Sequence, residues 1–318
     1  MRAAVTGGCG FIGSALVHHL VRAGHDVLVL DDLSLGRIEN LAPDTRDSTA
    51  VVQVDVRDAD AVADTIKRHA AEVVYHLAAI HFIPTCDRDP RRAIEVNVVG
   101  TQSVLDAVVR SGAVRRIVLA STGAVYAPDD RPHRETSAVE PVDIYGMTKL
   151  WAERLVALFR TQTGTEAAIA RLFNTYGPGE TNAHFIPTTI TQVQRGGDLE
   201  LGNLSSCRDY VFVDDVARAL LAMAAAPAAD GPLVCNVGTG GCVDGHTVVE
   251  TICALLGRNP TIHVAPDRVR VSDRPKLVSD PTRARELLGW EAQVQLEDGL
   301  RQTFARPSAA GVELDSGV

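Results

Sequence analysis

Runs of Val, Ile, Leu and Ala alternate along the first half of the chain with stretches of helical period. "RAAVT" (2–6), "DVLVL" (26–30), "AVVQVD" (50–55), "EVVYHLA" (72–78), "RRIVLAS" (115–121) and "EAAIARLF" (166–173) read as strands. Their apolar residues are nearly continuous rather than alternating with polar ones, the pattern of strands buried on both faces of a parallel sheet. Between them the spacing predicts helices near 11–23, 58–70, 90–111 and 143–163. Strand and helix in turn argue for βαβ units, hence an α/β fold with a doubly wound parallel sheet. After residue 173 Gly and Pro become frequent ("YGPGETNAHFIP") and the alternation stops. This predicts a first domain over 1–173 and a smaller lobe over 174–305, with segments of about 209–238 returning to the sheet. The small, polar tail 306–318 is expected to be disordered.

Composition narrows the function. With 318 residues, 46% of them hydrophobic and 22% charged, the chain has enough apolar material for a large core and is not of disordered type. A formal net charge of −9 with no Lys/Arg block argues against nucleic acid as a partner. Any phosphorylated ligand must then meet a few locally placed cations. The six cysteines form no C-x-x-C pair and no zinc spacing, so they are expected to be single thiols in a reducing compartment. No apolar leader precedes the first glycines, and "ALLAMAAAPAA" from residue 219 is too short to span a bilayer. The expectation is a soluble, cytoplasmic protein without a membrane partner.

Three features carry candidate chemistry. "VTGGCGFIGSALVHHLVRAG" places Gly7, Gly10 and Gly13 between a strand and a helix, where backbone can approach a pyrophosphate at the positive helix N-terminus. Asp31 ends the second strand 24 residues after Gly7, where a carboxylate accepts ribose hydroxyls and repels a 2′-phosphate. That favours NAD over NADP. Asp55, ending the third strand, can meet the adenine amino group, and small Ala78 and Ala79 end the fourth. In "DIYGMTKLWAERLV", Tyr145 and Lys149 are i and i+4 neighbours on one helix face. A fixed ammonium beside a phenol eases its ionisation and makes a proton acceptor for an alcohol. His18, His19 and His25 fall on different faces of a helix and its turn, a solvated surface rather than a metal site. No metal is expected.

"TGGCGFIG", "DDLS", "DVRD", "HLAA", "STGAVY" and "YGMTK", in this order, resemble the extended short-chain dehydrogenase/reductase family, and more narrowly its NAD-dependent nucleotide-sugar epimerases. The resemblance covers residues 1 to about 304. It implies a Rossmann-type NAD domain, a small C-terminal lobe for a nucleotide-diphosphate sugar, and a homodimer through helices about 90–111 and 143–163. It extends the cofactor set to Phe11, Ile12, Asp32, Leu33, Ser34, Val56, Leu77, Asn97 and Ser121, with Tyr145 and Lys149 reaching the nicotinamide ribose. It implies a catalytic trio in which Tyr145 takes the proton of a sugar hydroxyl, Lys149 steadies the phenolate and Thr122 bonds the reacting oxygen.

Departures from the pattern are as telling. Dehydratases of this family that act on nucleotide sugars carry Asp-Glu immediately after the Thr, and decarboxylating members carry a Glu at the position of Ala124. Here Gly123 and Ala124 stand there, so oxidation lacks an accompanying elimination. In the second lobe the resemblance implies that Asn174 and Arg208 meet the diphosphate. It also implies that His184 and Phe185 line the nucleotide, and that Arg270 and Asp273 meet phosphate and ribose. His81, in the loop after "HLAA", is left open between a substrate contact and an ordinary loop histidine. The sugar and the nucleobase also remain open, as do a reductase, dehydrogenase or dehydratase of the same family and a catalytically silent NAD-binding regulator.

Overall fold

The computed structural model describes residues 1–180, 182–265 and 274–305. Arg270, Asp273 and the tail 306–318 lie outside the described residues. Seven parallel strands form the central sheet: β1 (Arg2–Thr6), β2 (Asp26–Asp31), β3 (Thr49–Gln53), β4 (Val73–His76), β5 (Arg116–Thr122), β6 (Glu166–Leu172) and β7 (Leu233–Val237). Their order is β7-β6-β5-β4-β1-β2-β3, so the winding reverses between β1 and β4. This is a Rossmann-type doubly wound sheet, and such a reversal opens a ligand crevice at the carboxyl ends of the strands.

The continuous apolar runs are explained by two cores, one on each face. On one side Ala3, Val5, Val27 and Val29 pack with Leu16 and Leu20 of α1 (Phe11–Arg22). On the other side Ala4, Leu28 and Leu30 share a core with Val62 and Ile66 of α2 (Ala59–His69). Val104 of α3 (Gly100–Ser111) and Val156 of α4 (Ile144–Thr163) join that core. Successive residues of each strand thus feed opposite faces. Residues 213–237 return to the sheet: α5 (Val213–Ala225) packs Val216 and Leu220 on the first core, and β7 pairs with β6. Tyr210–Phe212 instead pairs with Asn174–Tyr176. The second lobe has a core of its own, built from Ile186, Val193, Leu199, Leu201, Val248 and Ile252.

Three sequence expectations need correction. The helix expected over 90–111 is interrupted: Glu95–Val99 form a π turn between Pro90–Ile94 and α3. Ile83–Arg88 is a further short helix that the proline at its second position starts rather than breaks. Cys207 and Cys242, 35 residues apart, form a disulfide with Cα atoms 5.5 Å apart, which local spacing could not show. Cys9, Cys86, Cys235 and Cys253 are free and buried. Among the described residues no helix is long and apolar enough to cross a membrane.

β5, β6 and α4 are locked together by a buried ion pair. Arg171 donates to both carboxylate oxygens of Glu153 at 3.0 and 2.7 Å, and Ser121 Oγ donates to Oε1 at 2.5 Å. The Arg171 guanidinium also lies over the Tyr126 ring, 4.8 Å from its centroid. Removing one partner of such a pair strands a buried charge. Glu153→Ala is therefore expected to lower stability by about 3–5 kcal/mol, read as a lower urea midpoint at unchanged slope. A loss near zero would mean that Arg171 finds its balance elsewhere.

Candidate active site

A cleft of about 1120 Å³ runs along the carboxyl ends of the strands into the second lobe. That exceeds the roughly 300–1,000 Å³ of an ordinary small-ligand site, room enough for two ligands end to end. At one end lies the glycine turn. Gly7 has φ +70°, and a Cβ there would stand 2.7 Å from Ala78 N. Gly10 stands at the N-cap of α1, which has no side-chain cap and no acid in its first turn, so its positive end is left for an anion. Asp31 is buried, and its carboxylate accepts from Cys9 N and Leu33 N, each at 2.9 Å. Burial pushes its pKa up and the two N–H donors pull it down. Asp32 accepts from the Ser34 N–H and hydroxyl. Asp55 is held by Arg57, whose Nε and Nη2 reach its two oxygens, and this keeps its pKa below the usual carboxylate range. Arg57 lines the cleft too and was not foreseen, although it stands only two residues from Asp55.

Of the expected cofactor residues, Gly7, Gly10, Phe11, Ile12, Gly13, Asp31, Asp32, Ser34, Asp55, Val56, Leu77, Ala78, Ala79 and Ser121 line this cleft. Leu33 and Asn97 do not. Leu33 contributes its backbone N–H to Asp31 from a left-handed conformation, φ 60°. Asn97, on the π turn, accepts from Ile80 N and donates to Ile80 O and Thr148 Oγ1, holding the loop after β4 from behind. The same loop rests on a neutral buried histidine. Thr101 donates to Asn97 O and so accepts from His76 Nε2, which leaves His76 Nδ1 to accept from Thr6 Oγ1. Thr6 in turn accepts from Ala78 N. Burial, then nearby Lys149, lowers the His76 pKa to about 3.

Thr122, Tyr145 and Lys149 meet at the middle of the cleft. Asp143 caps α4 by accepting from Gly146 N at 2.7 Å. A Cβ at Gly146 would come within 2.7 Å of Ala124 O, so glycine lets the first turn of α4 press against the loop after Thr122. The Tyr145 phenol lies beside the Thr122 side chain. The expected ease of ionisation is not what the structure shows. Burial pushes the Tyr145 pKa up, and Thr122 only partly offsets it. A neighbouring charge is visible in sequence; the loss of water around the phenol is not. Lys149 is buried, and desolvation lowers its pKa to about 8 against the opposing pull of Glu153.

In the second lobe Asn174, His184, Phe185 and Arg208 line the cleft, as does His81 from the first domain. The Asn174 side-chain oxygen is buried without a protein partner, as a group completed by a bound ligand would be. Arg274, which was not foreseen, lies buried beside them and donates to Tyr126 O at 2.6 Å and Ala124 O at 2.9 Å. Asp209, next to Arg208, is fully buried and accepts from Thr239, Gly240 and Ser279, tying the loops at this end together. The uncapped helix, the glycine cradle and the adjacent carboxylates Asp31 and Asp32 fit a dinucleotide, and the cations beyond them fit a second anionic ligand.

The model of the NAD dependent epimerase/dehydratase family matches residues 3–238. The chain is 36% identical to a UDP-glucose 4-epimerase of Mycolicibacterium smegmatis, over 95% of this chain and 97% of that one. It is 34% identical to a dTDP-glucose 4,6-dehydratase of Mycobacterium tuberculosis, over 96% and 92%. A solved UDP-glucose 4-epimerase of Thermus thermophilus, in complex with NAD, superposes with a TM-score of 0.86 at 30% identity, covering 96% of this chain and 98% of that one.

The lowered Lys149 pKa has a sign that can be checked. The unfolded amine titrates near 10.5 and the folded one near 8, so between these values the unfolded state binds more protons and stability rises with pH. Unfolding free energy of the ligand-free protein, measured from pH 8 to 10, should rise relative to that of Lys149→Met. Parallel curves would show that the folded amine keeps an ordinary pKa.

Proposed function

The chain belongs to the NAD-dependent epimerase/dehydratase family and is an NAD-dependent enzyme of the extended short-chain dehydrogenase/reductase type; we propose that within it the protein is a nucleotide-sugar 4-epimerase. The observation that carries this reading is the pair Gly123 and Ala124 immediately after Thr122. Tyr145 and Thr122 can manage the proton of a sugar hydroxyl, but neither following residue offers an acid or base to expel water. The matched relatives include a dehydratase as well as epimerases, so this pair is what separates the two readings.

Bound NAD supplies a hydride acceptor and, later, the donor of the same hydride. The chain's own residues do the rest. Tyr145 accepts the 4-hydroxyl proton, with Thr122 holding the reacting oxygen. The phenolate forms in the first turn of α4, where the helix dipole favours negative charge, and Lys149 stands one turn on. Arg208 and Asn174 hold the diphosphate, a charge-assisted grip that lets an acidic protein keep an acidic ligand. A keto-sugar held mainly by its nucleotide is free to turn and offer either face of C4 for hydride return. The relatives' names make UDP-hexoses the first substrates to assay.

We also assign the protein a homodimer across α3 and α4. Met147, Trp151 and Leu158 form one exposed stripe on α4, with Trp151 62% exposed, and Val99, just before α3, and Val109, within it, are exposed as well. An apolar stripe of this kind on a surface helix marks an interaction face.

Two outcomes follow from these assignments. With NAD and UDP-glucose, mass spectrometry should find products isobaric with the substrate, and Tyr145→Phe should lower kcat by about 10²-fold or more. A product lighter by one water would overturn the epimerase in favour of the dehydratase. Sedimentation should give a dimer that Trp151→Glu converts to monomer, whereas a wild-type monomer would remove the α3–α4 interface.

A further inference from the structure

We propose that His81, Glu180 and His184 form a divalent-cation site, of the zinc class, in the wall of the cleft. Among the described residues they are the one group of His, Cys, Asp and Glu side chains whose ligand atoms converge, all within 4.8 Å of one another. His81 comes from the loop after β4. Glu180 and His184 come from the turn before the helix Phe185–Arg195. All three line the cleft that Tyr145 and Lys149 share. The imidazoles stack with centroids 5.7 Å apart, and Phe82 stands edge-on to His184 at 5.2 Å, which holds the ring planes.

Asn182 shows where two of the ligand atoms point. Its Nδ2 donates to His81 Nε2 and to Glu180 Oε1, each at 3.2 Å. His81 Nε2 therefore carries its lone pair inward, with the ring proton on Nδ1, the tautomer that binds a metal through Nε2. An accepting imidazole nitrogen and a buried carboxylate are thus already aimed at one partially positive group. A cation can replace that N–H₂ with a small rotation of the Asn182 amide. Two imidazoles and one carboxylate are the donor set of catalytic zinc sites, whose fourth position stays open. The absence of thiolate from the set and the presence of two nitrogens disfavour copper(I) and magnesium respectively. The open position faces the cleft, so the ligand class it takes is a hydroxyl or phosphate oxygen of a molecule lying there. The histidine left open by the sequence thereby acquires a specific role.

The test is zinc binding by the full chain, stripped with chelator and free of nucleotide and sugar, so that it does not depend on the epimerase assignment. Isothermal titration with Zn²⁺ should show one ion per chain. His81→Ala and His184→Ala should each weaken binding by about 100-fold or more, beyond the effect of losing an outer partner. The isosteric Glu180→Gln should weaken it as well, and it decides the question if either alanine variant fails to fold. His18→Ala and His19→Ala, in the other histidine pair of the chain, should change nothing. No saturable binding by the wild type, or binding of equal strength in His81→Ala, His184→Ala and Glu180→Gln, would overturn the site.

Discussion

Glu153 accepts from Ser121 on β5 and Arg171 on β6 while standing one turn beyond Lys149 on α4. Through this one buried carboxylate the strand that ends in Thr122 and the helix that carries Tyr145 keep a fixed distance. The same charge opposes the desolvation of Lys149, so geometry and electrostatics around Thr122, Tyr145 and Lys149 share a single anchor. Buried networks of this kind are costly when incomplete and rigid when complete. Both carboxylate oxygens of Glu153 are engaged, and the hydroxyls of Thr122 and Tyr145 inherit that rigidity.

The cofactor side is organised by neutral groups instead. Thr6, His76, Thr101 and Asn97 form a chain of hydrogen bonds whose directions follow from one another, and it ends on Ile80 and Ala78. Burial keeps His76 uncharged, so it adds no unpaired cation beneath the cleft floor. A continuous link then runs from Asn97 through Thr148 to Tyr145 O, joining the floor to the first turn of α4.

Much of this is legible in the chain itself because the signals are local. Apolar runs reveal strands buried on both faces, glycines at fixed spacing reveal the phosphate turn, and residues four apart reveal Tyr145 with Lys149. What stays hidden depends on pairing across long separations or on burial. Arg171 finds Glu153, Arg274 finds the Ala124 carbonyl, and Cys207 finds Cys242, and none of these pairs shares a local pattern. Asn97 is expected at the cofactor, yet its amide is engaged by the Ile80 loop. The sign of the Tyr145 shift escapes for the same reason: sequence shows which charges are near but not how much water is gone. Glu180 and His184 are separately visible, but only folding sets them beside His81.

The π turn at Glu95–Val99 is what that placement of Asn97 requires, since a π turn carries one residue more than the α turn it interrupts. Within a helix one residue is worth a rotation of about 100° and a rise of about 1.5 Å. Excising a single residue here would restore regular winding but swing everything before it around the axis, taking Asn97 off Ile80 while α3 kept its place against the sheet. The segment therefore counts its residues strictly. A change in length of one at this turn is felt at the floor of the cleft, through the bonds that Asn97 makes to Ile80.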